Sequence, residues 1–466
     1  MAYAEKRGKS WRGRYRRPDG SYASTSGFTT KRAALQAASD EESSIRHNTW
    51  IDRRVAEMLF TDFANQWHSA VTPRLSPSTA AKYRRYLDVQ LIPKWGDWPM
   101  IGIFNSHFEI EGWVTSLHNK HEESSVASYF GCFSTIMNAG VRARVIPANP
   151  CSGIRVTGGE WETEKYVATP AQALRAGMRL YENQLGLGGL MLCLLDFYTG
   201  GRWGELAGQM NHEYDQVNKA IGVFEPLKEV DGRLMKGGTD VTALDPFAPR
   251  QQSGRRKRRI KKGARTKSPA GERWVPLPPS IATMYELLLD GKAGALSFAF
   301  TSLQGDPWYR SNFRQRFWRP AWDGVDAARP SSPKHVPAIL AGFTFHEGRH
   351  THSSWLAEDG VPEIARRARL GHKMKGMARV YDHVTPEMER QVREALEARF
   401  LTSVLELTDP EREKLLTWVP TIRPAVERAQ EEAMRIADGV AGVRSVSQIT
   451  PIDRPARESS GGQGAS

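Results

Sequence analysis

The longest uninterrupted apolar run in this chain is Leu190-Met191-Leu192-Cys193-Leu194-Leu195. As a helix it would be about 9 Å long, against roughly 30 Å for the hydrocarbon core of a bilayer. It therefore reads as one buried helix, and no membrane span is expected. The remaining apolar side chains must be buried by periodic faces. With 40% apolar and 25% charged residues, the composition is that of a chain that builds cores rather than a disordered one. A length of 466 residues suggests roughly two to four domains. The 65 Lys and Arg outnumber the 52 Asp and Glu, a net charge of +13, which favours nucleic acid or another polyanion as partner. Cys132, Cys151 and Cys193 are scattered, against both a disulfide framework and a CxxC metal site. The basic start has no apolar run behind it, so no secretory signal is read, and an intracellular compartment is expected.

Along the chain the pattern changes several times. Residues 1–34 carry nine Lys or Arg against Glu5 and Asp19, a net of +7. Trp11 to Arg17 alternates, which on a strand puts Arg12, Arg14 and Arg16 on one face and Trp11 and Tyr15 on the other. Pro18-Asp19-Gly20 is a turn, a strand through Tyr22 and Ser24 follows, and Thr30 caps a helix from Lys31 to about His47. From about Phe60 to Thr157 the spacing is helical. Helices are expected over Asp62–Val71 with Thr61 as cap, from Thr79 to about Leu91 carrying Lys82, Arg84 and Arg85, over Phe108–Leu117, and from Val126 to about Arg144. Residues 158–166 read as a linker. A larger mixed unit runs from about Val167 to Val404, with helices over Pro170–Asn183 and Gly188–Tyr198 and a strand near Trp274–Leu277. Inside it lies a basic loop of seven Lys or Arg in the eight residues 255–262, among them Arg255, Arg256, Lys257, Arg258 and Arg259. Short helices after Asp409 and Pro424 and a tail from 441 rich in Ser, Gly and Pro complete it.

Four segments of the large unit carry chemistry. They are Thr199-Gly200-Gly201-Arg202-Trp203-Gly204-Glu205-Leu206; Arg265-Thr266-Lys267-Ser268 with Arg273-Trp274-Val275-Pro276-Leu277, read as a hairpin with Lys267 near its tip; His346-Glu347-Gly348-Arg349-His350-Thr351-His352; and Arg369-Leu370-Gly371-His372 with Tyr381 nine residues on. Singly each has a plain structural reading, such as an Arg202–Glu205 pair on a helix or a packed Tyr381. Together, in this order, they resemble the tyrosine recombinases, also called phage integrases, whose hallmark is Arg…Lys…His-x-x-Arg…His/Trp…Tyr. The words TGGRWGEL, RTKS…RWVPL, HEGRHTHSSWLAEDGV and RLGH carry the likeness. Gly348 stands where the family usually has a bulkier apolar residue, and Lys261 and Lys262 rival Lys267.

The resemblance implies a multidomain, mainly α protein with small β elements: an arm-type DNA-binding domain (1–55), a helical core-binding domain (58–157), a mixed α/β catalytic domain (167–404), a helical extension (405–440) and a disordered tail (441–466). It implies Tyr381 as nucleophile, Arg202 and Arg349 as phosphate clamp, Lys267 as general acid, His346 as proton acceptor and His372 as phosphate hydrogen-bond partner. The physics agrees: a phenolate keeps the bond energy in a covalent link, and two fork-shaped guanidiniums suit the two charged oxygens of the transition state. No metal or cofactor is implied. The implied partners are double-stranded DNA with core and arm sites, a homotetramer on that DNA with the helix from Pro386 as a packing element, and an accessory bending or excision factor. DNA-binding side chains are sought among Arg12, Arg14, Arg16, Lys82, Arg84, Arg85 and Arg255 to Arg259. The main rival is a zinc hydrolase, because residues 346–350 are a literal HExxH with Glu347 as base. A catalytically silent DNA-binding protein is the other.

Overall fold

Alternation sets the first element of structure. In the computed structural model, which describes residues 2–47, 50–156, 166–230, 232–242, 271–291, 297–326, 335–372 and 384–446, strands β1 (Tyr3–Arg7), β2 (Ser10–Arg16) and β3 (Tyr22–Phe28) form an antiparallel sheet in that order. β1 is an addition to the expected pair, since Tyr-Ala-Glu-Lys-Arg shows no apolar alternation and only pairing reveals it. Tyr15 and Ala23 turn inward against Ala38 of the helix Lys31–Arg46, whose first turn is capped by the Thr30 hydroxyl accepting from the Ala33 N–H at 3.2 Å.

Residues 1–163 form one compact unit and 164–466 a second. The helical part of the first unit encloses Phe60, Trp67, Leu87, Trp95, Trp113 and Phe133, with Trp95 stacked on Phe133 at 5.4 Å. Helix ends differ from expectation for local reasons. Phe60–Val71 starts one residue before Thr61, which is not its cap: the Phe60 and Thr61 N–H groups donate to Trp98 and Gly96 carbonyls. The next helix begins at Pro77, capped by Ser76, and does not stop at Leu91. It passes through a wider turn at Leu87–Leu91 into Ile92–Trp95, accommodating Pro93, which has no N–H to give. The helix expected from Val126 begins at Glu123, so Ser124 and Ser125 lie inside its first turn. The expected linker falls almost wholly on 157–165, outside the described residues.

In the second unit the predicted apolar helix, Gly186–Thr199, is buried along almost its whole length. Helices Pro170–Leu180, Pro279–Asp290 and Phe345–Glu358 pack around it. Short strands β4 (Tyr214–Asp215), β5 (Ala220–Val223), β6 (Lys228–Val230), β7 (Arg233–Lys236), β8 (Thr239–Asp240) and β9 (Arg273–Pro276) make two sheets, ordered β4-β5-β9 and β6-β7-β8. β9 confirms the strand near Trp274, but its described partner is β5, with Val275 opposite Ile221. The expected hairpin partner, residues 265–268 with Lys267, lies outside the described residues.

Pro386–Leu405 buries Val392, Leu396, Phe400 and Val404 in this same core, so that face packs in cis. Thr408 caps Asp409–Trp418 through a reciprocal bond with Glu411. The last helix, Arg423–Val446, is long rather than short and continues past 441, where the tail was expected to begin. All three cysteines are free and buried. Among the described residues no helix is long and apolar enough to cross a membrane.

Candidate active site

The buried helix Gly186–Thr199 ends where the backbone turns left-handed at Gly200 (φ 63°), and its amide closes the helix onto the Asp196 carbonyl at 3.0 Å. A Cβ there would stand 2.6 Å from Leu370 and 2.7 Å from His352, so glycine alone lets the first, third and fourth motifs meet at this point. Arg202 follows as the residue before the short helix Trp203–Leu206.

Arg349 binds the segments together. On the first turns of Phe345–Glu358, it donates from Nη1 to the Gly200 carbonyl at 2.5 Å and from Nη2 to the Leu370 carbonyl, and Nη2 also lies 3.0 Å from His372 Nε2. Of the five N–H groups of a guanidinium, two are left over from these bonds. Arg349 is 4% exposed, whereas the Arg202 side chain is 46% exposed, so one arginine forms the floor and the other reaches outward. Burial and the Arg202 charge push Arg349 down to about 10. That cost marks a site short of negative charge, which an incoming anion would supply.

Glu205 is the carboxylate that holds the group together. One oxygen accepts from Arg202 Nη1 at 2.7 Å, and the other from the Arg202 amide and from Arg273 Nη2, both at 3.1 Å. Burial pushes its acid up, but the Arg273 charge and the Arg202 hydrogen bonds outweigh this and keep it ionised below the usual range. Arg273 also donates to the Arg369 carbonyl at 2.6 Å. Arg369 donates to the Tyr198 carbonyl at 2.8 Å and to His352 Nε2 at 3.3 Å, while His352 Nδ1 donates to the Phe197 carbonyl at 2.7 Å. This arrangement fixes His352 as neutral, and burial with the Arg369 charge holds its pKa well below the ordinary value. Glu205, Arg273, Arg369 and His352 were not picked from sequence as site residues. The Arg202–Glu205 spacing was legible, but as a plain helix pair, and the pair is both that and part of the site.

His346 and His372 each lie within the field of Arg349 and Arg202. Burial first, and these and neighbouring positive charges after it, lower both imidazoles, so each is neutral and able to accept a proton near neutral pH. His346 and His350 rings stand 4.9 Å apart, but Glu347 is turned to the Thr344 amide as a helix cap rather than toward them. Among the described residues no three His, Cys, Asp or Glu side chains come together as a metal site, and Glu347 is engaged at the helix start.

Gly348 has a specific local reason. A Cβ at this position would lie 2.0 Å from an Asp196 carboxylate oxygen. Asp196 is fully buried, and both its oxygens lack hydrogen-bond partners among the described residues. Burial raises its pKa well above the ordinary value, with the Arg349 charge pulling the other way. The absent side chain at 348 is the space that Asp196 fills.

The structure thus brings together Arg202, His346, Arg349 and His372. Lys267, its rivals Lys261 and Lys262, Tyr381 and the basic run Arg255 to Arg259 lie outside the described residues. In the first unit Arg12 pairs with Glu5 at 2.7 Å, Arg14 lies 3.9 Å from the same carboxylate, and Arg16 donates to the Gly20 carbonyl at 3.2 Å. Lys82 lies over the Tyr86 ring, Arg84 is held by Asp88 and Asn65, and Arg85 is exposed, so these three do not share one face.

Two arginines with flanking neutral imidazoles make a positively charged site, and comparison with known proteins shows what parts of the chain are similar to. Residues 254–388 match the phage integrase family. An integrase of Staphylococcus phage L54a is 26% identical over 200 residues, 43% of this chain and 49% of that protein, so the match spans about half the length of that curated relative. The solved Tn1549 transposon integrase, in complex with transposon right end DNA, superposes with a TM-score of 0.51 at 16% identity, covering 72% of this chain and 99% of that one. The lambda integrase dimer bound to a core site gives a TM-score of 0.45 at 15% identity, over 84% of this chain and 94% of that one. The family match thus covers residues 254–388, under a third of the chain, and the solved Tn1549 integrase shares its fold.

Proposed function

We propose that this chain is a site-specific tyrosine recombinase that cleaves and rejoins double-stranded DNA, integrating or excising a phage or other mobile element. The observation that carries the reading is the convergence of Arg202, His346, Arg349 and His372, contributed by three separate motifs, on one positively charged site. In this mechanism the Tyr381 oxygen attacks the scissile phosphorus and passes its proton to neutral His346. The bond to the 5′-oxygen breaks, and Lys267 protonates the leaving hydroxyl. Arg202 and Arg349 hold the non-bridging oxygens as charge builds there, and His372 adds a hydrogen bond. The product is a 3′-phosphotyrosine, and a 5′-hydroxyl from a partner duplex reverses the step without ATP. The roles of Lys267 and Tyr381 rest on the family resemblance.

The same reading assigns residues 1–55 to arm sites, 58–157 to core sites and 167–404 to catalysis, with four protomers on two duplexes and an accessory factor setting direction. A nicked attachment-site duplex, with its sequence taken from the element's chromosomal junctions, tests the reading. Wild-type protein is expected to form a covalent adduct that Tyr381→Phe cannot form, in the presence of excess chelator. Equal trapping by both proteins, or an adduct abolished by the chelator, would sink it.

A further inference from the structure

The cavity beside Arg202 and His346 has a second basic side that this chemistry does not use. It encloses about 620 Å3, and its wall includes Arg202, Trp203, Arg310, Phe345 and His346. An adjoining cavity of about 500 Å3 shares Trp203, Arg310 and Phe345 and adds Arg314. Arg310 opens the turn Arg310–Phe313 and Arg314 follows it, so the two are helical neighbours four residues apart. Both are exposed, and among the described residues neither side chain has a hydrogen-bond or ion-pair partner. Glu229, also on the shared wall, is exposed. The Arg310 charge is close enough to His346 to help lower it.

We propose that Arg310 and Arg314 form a phosphate-binding subsite that seats the DNA strand at the nucleotide next to the scissile phosphate, with Trp203 and Phe345 as the apolar wall against the intervening deoxyribose. The inference rests on the recombinase reading. Along one strand a phosphate recurs about every 3.4 Å of helix axis. A strand whose scissile phosphate lies on Arg202 therefore carries a second phosphate past the same recess. Guanidinium forks without carboxylate partners, beside an apolar wall, suit that second phosphate and sugar.

The test uses the full-length protein and the attachment-site duplex. Arg310→Gln and Arg314→Gln, both at exposed positions, are each expected to lower the slope of log affinity against log salt by about 0.9, one phosphate contact, and Arg310→Lys to keep it. A neutral methylphosphonate at the phosphate flanking the cleavage point is expected to weaken wild-type binding about ten- to a hundredfold, of the order of one charge-assisted hydrogen bond. The same substitution should penalise Arg310→Gln, which keeps only Arg314 at the subsite, less than wild type. Removing the Arg310 charge should also move the acidic limb of the cleavage profile to higher pH through His346. Unchanged slopes in both glutamine variants, or equal methylphosphonate penalties in wild type and Arg310→Gln, would overturn the subsite. Loss of Tyr381-dependent adduct in the wild type would instead overturn the recombinase reading, and the two failures are read from separate measurements.

Discussion

Arg12, Arg14 and Arg16 on β2 and Arg273, Arg349 and Arg369 around the end of the buried helix are both three-arginine groups, yet their surroundings give them opposite tasks. The β2 side chains are partly exposed, with Glu5 and a turn carbonyl within reach and water filling the rest of their needs. The buried three are bonded mostly to backbone carbonyls, and among the described residues Arg273 alone of them pairs with a carboxylate, that of Glu205. Burial pushes Arg349 down to about 10 and Arg369 to about 9. Charge at a surface is screened and exchangeable. Charge in a dry site lined by carbonyls is a standing cost that a phosphate oxygen would relieve.

The sharpest way to break that contrast is Glu205→Ala. It leaves Arg202 and Arg273 without their shared carboxylate and is expected to cost about 3–5 kcal/mol in thermal or denaturant unfolding, as for other broken buried ion pairs. A loss below 1 kcal/mol would put this group in the surface class.

Gly348→Ala comes next. Its methyl meets the Asp196 carboxylate, and overpacking of this kind costs about 1–3 kcal/mol. The cost should shrink in the Asp196→Ala background, measured as a double-mutant cycle; simple additivity would refute the contact.

Asp196→Asn tests the sign of the buried carboxyl. Its folded pKa is raised, so the proton it takes up on folding helps stability fully below the unfolded value of about 3.9, and that help is lost as pH rises through the folded value. The asparagine variant should therefore gain on wild type as pH rises from 4 toward 8, and a parallel pair of melting curves would contradict this. The smallest effect is expected from Glu5→Gln on β1, under about 1 kcal/mol and fading with added salt.

The same contrast explains what could be read in advance. Arg202, His346, Arg349 and His372 stood out because one reaction requires those side chains within short, recognisable words. Glu205, Arg273, Arg369 and Asp196 did not, because their roles depend on distant pairings. Arg273 meets Glu205 across 68 residues, and Arg369 meets Tyr198 across 171. The strands behave likewise: β2 announced itself by alternation, while β1 and the β5–β9 pairing appear only in register. Helix starts were missed where backbone carbonyls replaced a side-chain cap, as at Phe60.

The three enclosed thiols carry one more consequence. Burial pushes Cys132 and Cys151 up to about 12 and Cys193 well above its ordinary value, so none is a ready nucleophile in the folded chain. Alkylation of any of them must wait for local opening. Because Cys132 and Cys151 sit in the first compact unit and Cys193 in the second, the order in which mass-tagged peptides emerge would time the loosening of each unit without any engineered label.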